Sequence, residues 1–275
     1  VPSKKQPLTQ LHLTALPTKV VRTCSTCSLS YTRGAPDDEV LHKKHCLRIS
    51  RGSEWARDEA RSEGKDVLVI QKSILLGGTN NGSRELRGRI VTFKADIGGR
   101  VGTKLATLLQ TINFSLSAPD LPQSVLSQSK AYLFLIPAQN SNHSTTREKI
   151  VGCLIAQHIE TAMKIMAPHA TSKERTTDSL VRVSDPTDSQ GGGEGGLYCD
   201  PTPYPTPLGI PRIFVSAQYR HRGIAHALLD AAARTFIHGC TLDPSRGQVA
   251  FSQPTGAGRA LMEKWGRGGV RIFEE

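Results

Sequence analysis

The stretch from Gly209 to Gly239 constrains the fold more than any other part of this chain. Ile210–Ser216 (IPRIFVS) is an apolar run of strand length. After a short basic turn, a helix pattern sets Ile224, Leu228, Ala231 and Thr235 or Phe236 on one stripe, with Gly239 placed as a stop. Gln248–Ser252 (QVAFS) reads as the next strand, Gly256–Trp265 as a helix and Val270–Phe273 as a closing strand. Upstream come an apolar stretch at Ile90–Ala95, a helix over Val101–Phe114, and strand-length runs at Ala131–Pro137 (AYLFLIP) and Lys149–Ile159 (KIVGCLIAQHI). Strands that alternate with helices in this way predict an α/β or α+β domain.

The alternation does not run through the whole chain. Of 275 residues 37% are hydrophobic and only 5% aromatic, lean for a single core of this length, so part of the chain is expected to be loop or tail. Residues 1–22 are rich in Lys, Gln, Pro and Thr and read as a flexible tail. Residues 51–89 are polar apart from Val67–Ile70, with a turn at Gly77–Gly82. Residues 168–206 carry Gly191–Gly193, Gly195–Gly196 and prolines at 201, 203, 205 and 207, a composition that predicts a low-complexity insertion with no core of its own. The expected organisation is therefore a tail over 1–22, a small cysteine-bearing unit over 23–50, and a domain over 51–275 interrupted at about 168–206. No apolar run is long enough for a membrane span, and Val1–Lys5 opens no secretory signal, so a soluble chain is expected, read as a piece of something longer because it lacks an initiator Met.

The net charge is +11, from 35 Lys and Arg against 24 Asp and Glu. Such an excess fits a solvated surface, or a polyanionic neighbourhood such as nucleic acid, chromatin or a phosphate-rich cofactor. Six cysteines without a secretory signal point to a reducing compartment. Cys153, Cys199 and Cys240 are scattered and read as core or loop residues, whereas Cys24, Cys27 and Cys46 crowd one segment.

That segment has metal-ligand spacing. Cys24-Ser-Thr-Cys27 brings two thiolates to one tight turn, and His42-Lys-Lys-His-Cys46 follows after fourteen intervening residues, behind the acidic run Asp37–Glu39 that suits a helix N-terminus. Helical spacing sets His42 and Cys46 on one face, giving Cys24, Cys27, His42 and Cys46 as the zinc set, with His45 competing for the fourth position. A unit this small depends on its metal, since structural zinc contributes on the order of 10–16 kcal/mol of apparent binding energy. DNA-reading fingers come in tandem, so a single finger reads as a scaffold or protein-docking element.

The turn Arg220-His221-Arg222-Gly223-Ile224-Ala225 has phosphate-binding chemistry. It lies between a predicted strand and a predicted helix, where backbone N–H groups and the helix dipole converge on an anion. Gly223 and Ala225 leave the backbone accessible, and Arg220, His221 and Arg222 add positive charge at the rim.

R-x-x-G-x-A after a strand resembles the coenzyme A signature of the GNAT acetyltransferases. Together with IVGCLIAQHI (Ile150–Ile159), GIPRIFV (Gly209–Val215), FIHG (Phe236–Gly239), VAFSQPT (Val249–Thr255) and the finger with its Ser30-Tyr31 pair, the chain resembles the cohesin acetyltransferases of sister-chromatid cohesion establishment. The likeness covers residues 23–50 and most of 110–273. Departures are Pro211 and Phe214 in a strand that the family reads G-I-S-R-I-W, Cys46 where the finger ends in His, and Gln253 where animal members carry an acid and fungal members do not.

The resemblance implies a GNAT mixed sheet flanked by helices, a fungal origin, a nuclear location, and acetyl transfer from acetyl-CoA to lysines of the cohesin SMC ATPase head in S phase. It implies that Ile213, Phe214 and Val215 pair with the pantetheine arm. Arg220, His221, Arg222, Gly223, Ile224, Ala225 and His226 would hold the pyrophosphate, and Thr255, Gly256 and Ala257 the far side of the cofactor. Pro211 and Gln253 stand where the family offers catalytic helpers, so the base is open. Glu160 is the candidate, beside the reading of a solvated strand-end carboxylate, and His158 reads as a sheet histidine. The tail Lys5–Leu13 (KQPLTQLHL) resembles the motif by which family members dock on the replication sliding clamp, with Leu11 and His12 in place of its aromatic pair; a random polar tail competes with that reading. Two other functions stay open: a chromatin-binding module with a weak or inactive acetyltransferase-like domain, and a GNAT enzyme for another amine.

Overall fold

The structure is a computed structural model that describes residues 21–77, 85–138, 147–166, 181–183 and 197–274. The clamp-motif segment and the rest of the expected tail up to residue 20 lie outside the described residues, while Val21 and Arg22 already belong to a strand. The chain opens with a hairpin of β1 (Val21–Thr23) and β2 (Ser30–Thr32) and continues into helix α1 (Pro36–Arg51). Pro36 opens α1, Asp37–Glu39 fill its first turn and Arg48 and Arg51 its last, each sign set against the helix dipole. Asp38 and Glu39 also accept from the backbone N–H groups of Thr32 (3.2 Å) and Gly34 (2.9 Å), tying the helix start to the hairpin.

Then follow β3 (Ser53–Trp55), α2 (Arg57–Ala60), β4 (Leu68–Leu76), β5 (Leu86–Lys94), α3 (Gly99–Leu116), α4 (Gln123–Ser127), β6 (Ser129–Pro137), β7 (Glu148–His158) and β8 (Thr161–Met166). The remainder comprises β9 (Val181–Val183), β10 (Leu197–Pro205), β11 (Leu208–Val215), α5 (Ile224–Thr235), β12 (Val249–Phe251), α6 (Gly256–Gly266) and β13 (Arg271–Ile272). Among the described residues the large sheet runs β4-β5-β6-β7-β11-β12-β13-β8-β10-β9, with β3 also on β7. It is a mixed sheet: β11, β12 and β13 are parallel neighbours, and the other pairs are antiparallel. Helices cover both faces, as the α/β expectation required.

β7 is the centre of the sheet and reads as a continuous apolar run because both its faces are covered. On one face α5 packs through Ile224, Leu228 and Leu229 into a core with Phe134, Leu154 and Phe251. On the other α3 packs through Leu105, Leu108 and Ile112 with Leu133, Ile155 and Phe214, and the finger joins this second core through Cys27 and Ile49. Gly152 lets α5 approach β7: a Cβ there would lie 2.8 Å from Ile224 Cγ2 and 2.9 Å from Leu228 Cδ1.

Two stretches differ from the sequence reading. β4 and β5 are long strands where 51–89 reads as mostly polar, because β4 is an outer strand whose exposed Leu68, Leu75 and Lys72 break the alternation. The 168–206 segment is described only at 181–183 and 197–206, and all of that but Thr206 is strand. β10 pairs with β8, and Leu197 and Cys199 are buried in the main core. Its prolines are tolerated because Pro201 and Pro203 fall where the register slips between Asp200 and Tyr204, so the ladder does not need their missing N–H.

Candidate active site and metal centre

β11 and β12 run side by side for three residue pairs, Leu208↔Val249, Gly209↔Ala250 and Ile210↔Phe251, and then separate. β11 stays on β7 through Val215↔Gly152. Between the separating strands lies a cleft of about 1150 Å³. Ile210 through Val215 border it on one side and Phe251, Ser252 and Gln253 on the other. Ser252 Oγ donates to the Pro211 carbonyl at 3.0 Å, and Ser252 N to the Ile210 carbonyl at 3.2 Å, so the point of separation is pinned.

The cleft's floor is the turn between β11 and α5. After a 3-10 turn at Ala217–Tyr219 the backbone is left-handed at His221 (φ 60°) and again at Gly223 (φ 84°). A Cβ on Gly223 would meet only Leu76 Cδ2, at an ordinary 3.6 Å, so glycine is there for its φ rather than for space. α5 starts at Ile224 with no side-chain cap and no acid in its first turn, which leaves its amides and dipole for an anion. Arg220 Nε donates to the Val215 carbonyl at 3.1 Å and braces the turn against the strand.

Of the residues expected to hold the cofactor, Ile213, Phe214, Val215, Arg220, His221, Gly223, Ile224, Ala225, His226, Thr255 and Ala257 line this one cleft. Arg222 and Gly256 flank it without lining it. Thr255 caps α6, its hydroxyl accepting from Gly258 N at 3.3 Å. Glu160 is not brought in. It is exposed beyond the end of β7 and is not among the residues that line the cleft.

The sequence reading missed Arg212. Its guanidinium is buried and donates to Asn113 Oδ1 (2.9 Å), the Pro119 carbonyl (2.6 Å) and the Pro211 carbonyl (2.8 Å). Asn113 in turn donates to Asp120 Oδ1 at 3.0 Å. Arg212 thereby holds the α3–α4 loop against β11, and Ser115–Pro119 line the cleft from the α3 face. No spacing in the sequence signals a partnership across a hundred residues. The cleft also reaches Ser25–Ser28 of the finger, so it opens to both faces of the sheet.

The metal centre is compact. One ligand atom each from Cys24, Cys27, His42 and Cys46 lie within 4.8 Å of one another. The Cys24 and Cys46 sulfurs are 4.0 Å apart, close to the 3.8 Å or so that tetrahedral zinc with 2.3 Å Zn–S bonds requires. His42 stacks on Tyr31 with ring centroids 4.0 Å apart, and its Nε2 is buried without a hydrogen-bond partner among the described residues. His45 lies outside the cluster, its ring edge-on to Phe114 at 5.0 Å.

The thiols are electrostatically frustrated as a group. Burial and the neighbouring sulfurs of Cys27 and Cys24 push Cys46 up to about 12, and burial raises Cys27. At Cys24 burial is outweighed by backbone N–H groups of Thr26 and Cys27 aimed at the sulfur, and the thiol falls to about 6. Three ionised sulfurs at this spacing need a cation, and the donor set fits zinc. Of the scattered cysteines, Cys153 and Cys199 are core thiols that burial pushes up to about 12 and about 11, and Cys240 is exposed.

Comparison with known proteins agrees with this layout. Residues 10–48 match the family described as the zinc-finger of acetyl-transferase ESCO, and residues 204–272 match the ESCO1/2 acetyl-transferase family. The chain is 26% identical to mouse N-acetyltransferase ESCO2 over 88% of its own length and 33% of that protein. It is 28% identical to N-acetyltransferase eso1 of Schizosaccharomyces pombe over 94% of its length and 25% of that protein. The chain thus spans a third or less of the length of these relatives. A solved structure of the xEco2 acetyltransferase domain bound to a CoA conjugate is 24% identical, with a TM-score of 0.49, covering 68% of this chain and 93% of that one. Fungal, animal and plant proteins all appear among the relatives, so the likeness singles out no kingdom. The finger family matches the N-terminal part of the chain and the acetyl-transferase family its C-terminal part, so at both ends the chain is similar to the ESCO/Eco1 acetyltransferases.

Proposed function

We propose that the chain transfers acetyl from acetyl-CoA to lysine side chains of the cohesin SMC ATPase head, in the nucleus, and so helps to establish sister-chromatid cohesion. The observation that carries this reading is the separation of β11 from β12 after Ile210↔Phe251, beside an uncapped helix N-terminus. The free edge of Ile213–Val215 offers backbone groups at strand spacing to the amides of a pantetheine arm. The turn Arg220–His226, with His221 and Gly223 left-handed, turns its N–H groups toward a pyrophosphate. Thr255–Ala257 at the start of α6 close the far side.

As the amine attacks, the thioester oxygen gains charge, and a backbone N–H of Phe214 or Val215 is placed to receive it. The attacking lysine must first be neutral, which costs about 4.6 kcal/mol at pH 7 for an ammonium with the ordinary lysine pKa of about 10.4. Arg212 keeps the α3–α4 wall in place while the acceptor enters.

In the finger, Cys24, Cys27, His42 and Cys46 are the ligand set, with Cys46 rather than His45 in the fourth position. Bound zinc supplies a cross-link between hairpin and helix in a unit too small to fold on its own core. The finger (23–50) then supports the acetyltransferase domain (51–275) through α1, which packs on the Ala217–Tyr219 turn. Within the tail, Lys5–Leu13 is the segment that resembles a sliding-clamp docking motif, against the competing reading of a random polar tail, and a +11 chain is drawn to a phosphate-rich chromatin neighbourhood. No helix among the described residues is long and apolar enough to cross a membrane.

The test is incubation with labelled acetyl-CoA and a cohesin SMC head fragment, followed by mapping of modified lysines. Site-specific labelling of the head is expected. Labelling of free polyamines instead would make it a GNAT enzyme for another amine, and acetyl-CoA binding with no transfer would make it a binding module.

A further inference from the structure

The cleft between β11 and β12 is lined, among the described residues, by one carboxylate, Glu274. Its position follows from the sheet. β13 runs parallel to β12 with Phe251 opposite Ile272, and Phe273 N donates to the Phe251 carbonyl at 3.0 Å. Two residues beyond that last pair stand Gln253 on one side and Glu274 on the other, and both line the cleft. Gln253 follows Ser252, whose hydroxyl is tied to the Pro211 carbonyl where β11 breaks away. Glu274 therefore lines the same cleft as the strand ends between which the reacting groups must come. The other permanently charged side chains lining the cleft are cations: Arg212, Arg220 and Lys264. An ammonium entering among them finds one group of opposite sign.

We propose that Glu274 is the proton acceptor for the attacking lysine. The proposal rests on the acetyltransferase reading. The ammonium gives one proton to the Glu274 carboxylate, and the freed nitrogen lone pair attacks the thioester carbonyl carbon. The C–N bond forms, the C–S bond breaks, and the second proton lost from nitrogen leaves with the coenzyme A sulfur as its thiol. Glu274 is exposed, so it returns its proton to water before the next turnover. Glu160, by contrast, does not line the cleft.

The test compares Glu274→Gln with the parent chain, using labelled acetyl-CoA and the SMC head fragment, with acetyl-CoA affinity measured in parallel by calorimetry. Loss of a general base lowers kcat by about 10²- to 10⁴-fold. The expected result is a fall in that range with acetyl-CoA affinity unchanged, and partial recovery when Gln253→Asp is added, which returns a carboxylate to the lining of the cleft. A Glu274→Gln variant with kcat within twofold of the parent overturns the proposal, as does one that loses acetyl-CoA binding along with activity. A parent chain that binds acetyl-CoA but labels nothing defeats the function itself, and is told apart because it fails before any variant is made.

Discussion

Ile210 and Phe251 are the last residues that β11 and β12 pair, and directly after them the Ser252 hydroxyl donates to the Pro211 carbonyl at 3.0 Å. The hydrogen bond sits at the apex of the cleft and decides where the two strands begin to diverge. Ser252→Ala removes a buried donor and leaves the Pro211 carbonyl with its bond from Arg212. We expect a loss of about 1 kcal/mol in denaturant unfolding and weaker acetyl-CoA binding in calorimetry. Unchanged affinity would show that the apex does not shape the cofactor site.

Gly223 carries the sharpest backbone demand in the site. Gly223→Ala meets no clash but forces a Cβ into the left-handed region, at a cost of about 1–2 kcal/mol. Gly223→Glu adds a negative charge where pyrophosphate is to lie. Acetyl-CoA affinity measured by calorimetry should fall for Ala and further for Glu. A Glu variant that binds as tightly as the parent would refute the assignment of the turn.

The fourth zinc ligand separates two neighbours that differ in what they touch. Cys46 lies with the cluster and His45 against Phe114. Purified parent chain should hold one zinc by elemental analysis, Cys46→Ala should lose it, and His45→Ala should keep it. The reverse order would move the ligand to His45.

Cys24 is expected to be the reactive thiol once the metal is stripped. The thiolate is the nucleophile, and Cys24 is lowered to about 6 whereas Cys46 is raised to about 12. Alkylation of Cys24, followed by mass spectrometry, should rise through about pH 6 and level off near neutrality. Cys46 and Cys27 should stay slow over the same range. Equal rates at all three would contradict the asymmetry.

Arg212 binds two elements that the chain order keeps apart. Arg212→Lys keeps the charge but not the planar fork that reaches Asn113 and Pro119 together. Steady-state kinetics should show a higher KM for the protein acceptor, with acetyl-CoA affinity little changed, because the wall disturbed is the one on the α3 face. A rise confined to acetyl-CoA would place Arg212 on the cofactor side instead.

What depends on local order could be read from the residues alone. Ligand spacing in Cys24–Cys27 and His42–Cys46 is set by one turn and one helical face, and both survive folding unchanged. The strand–turn–helix around Gly223 is likewise local, since a basic turn with a left-handed glycine and an uncapped helix start needs no distant partner. The strand periods of β6, β7 and β11 were legible because burial on both faces leaves an unbroken apolar run. What the sequence could not specify is which strand loses its neighbour. The gap after Ile210 is a matter of register between strands forty residues apart, and β10 became core only because a bulge absorbed Pro201 and Pro203. Glu160 and Glu274 show the same limit. Both are carboxylates just past strand ends, and nothing local distinguishes them; only the folded sheet makes Glu274, and not Glu160, a lining residue of the cleft.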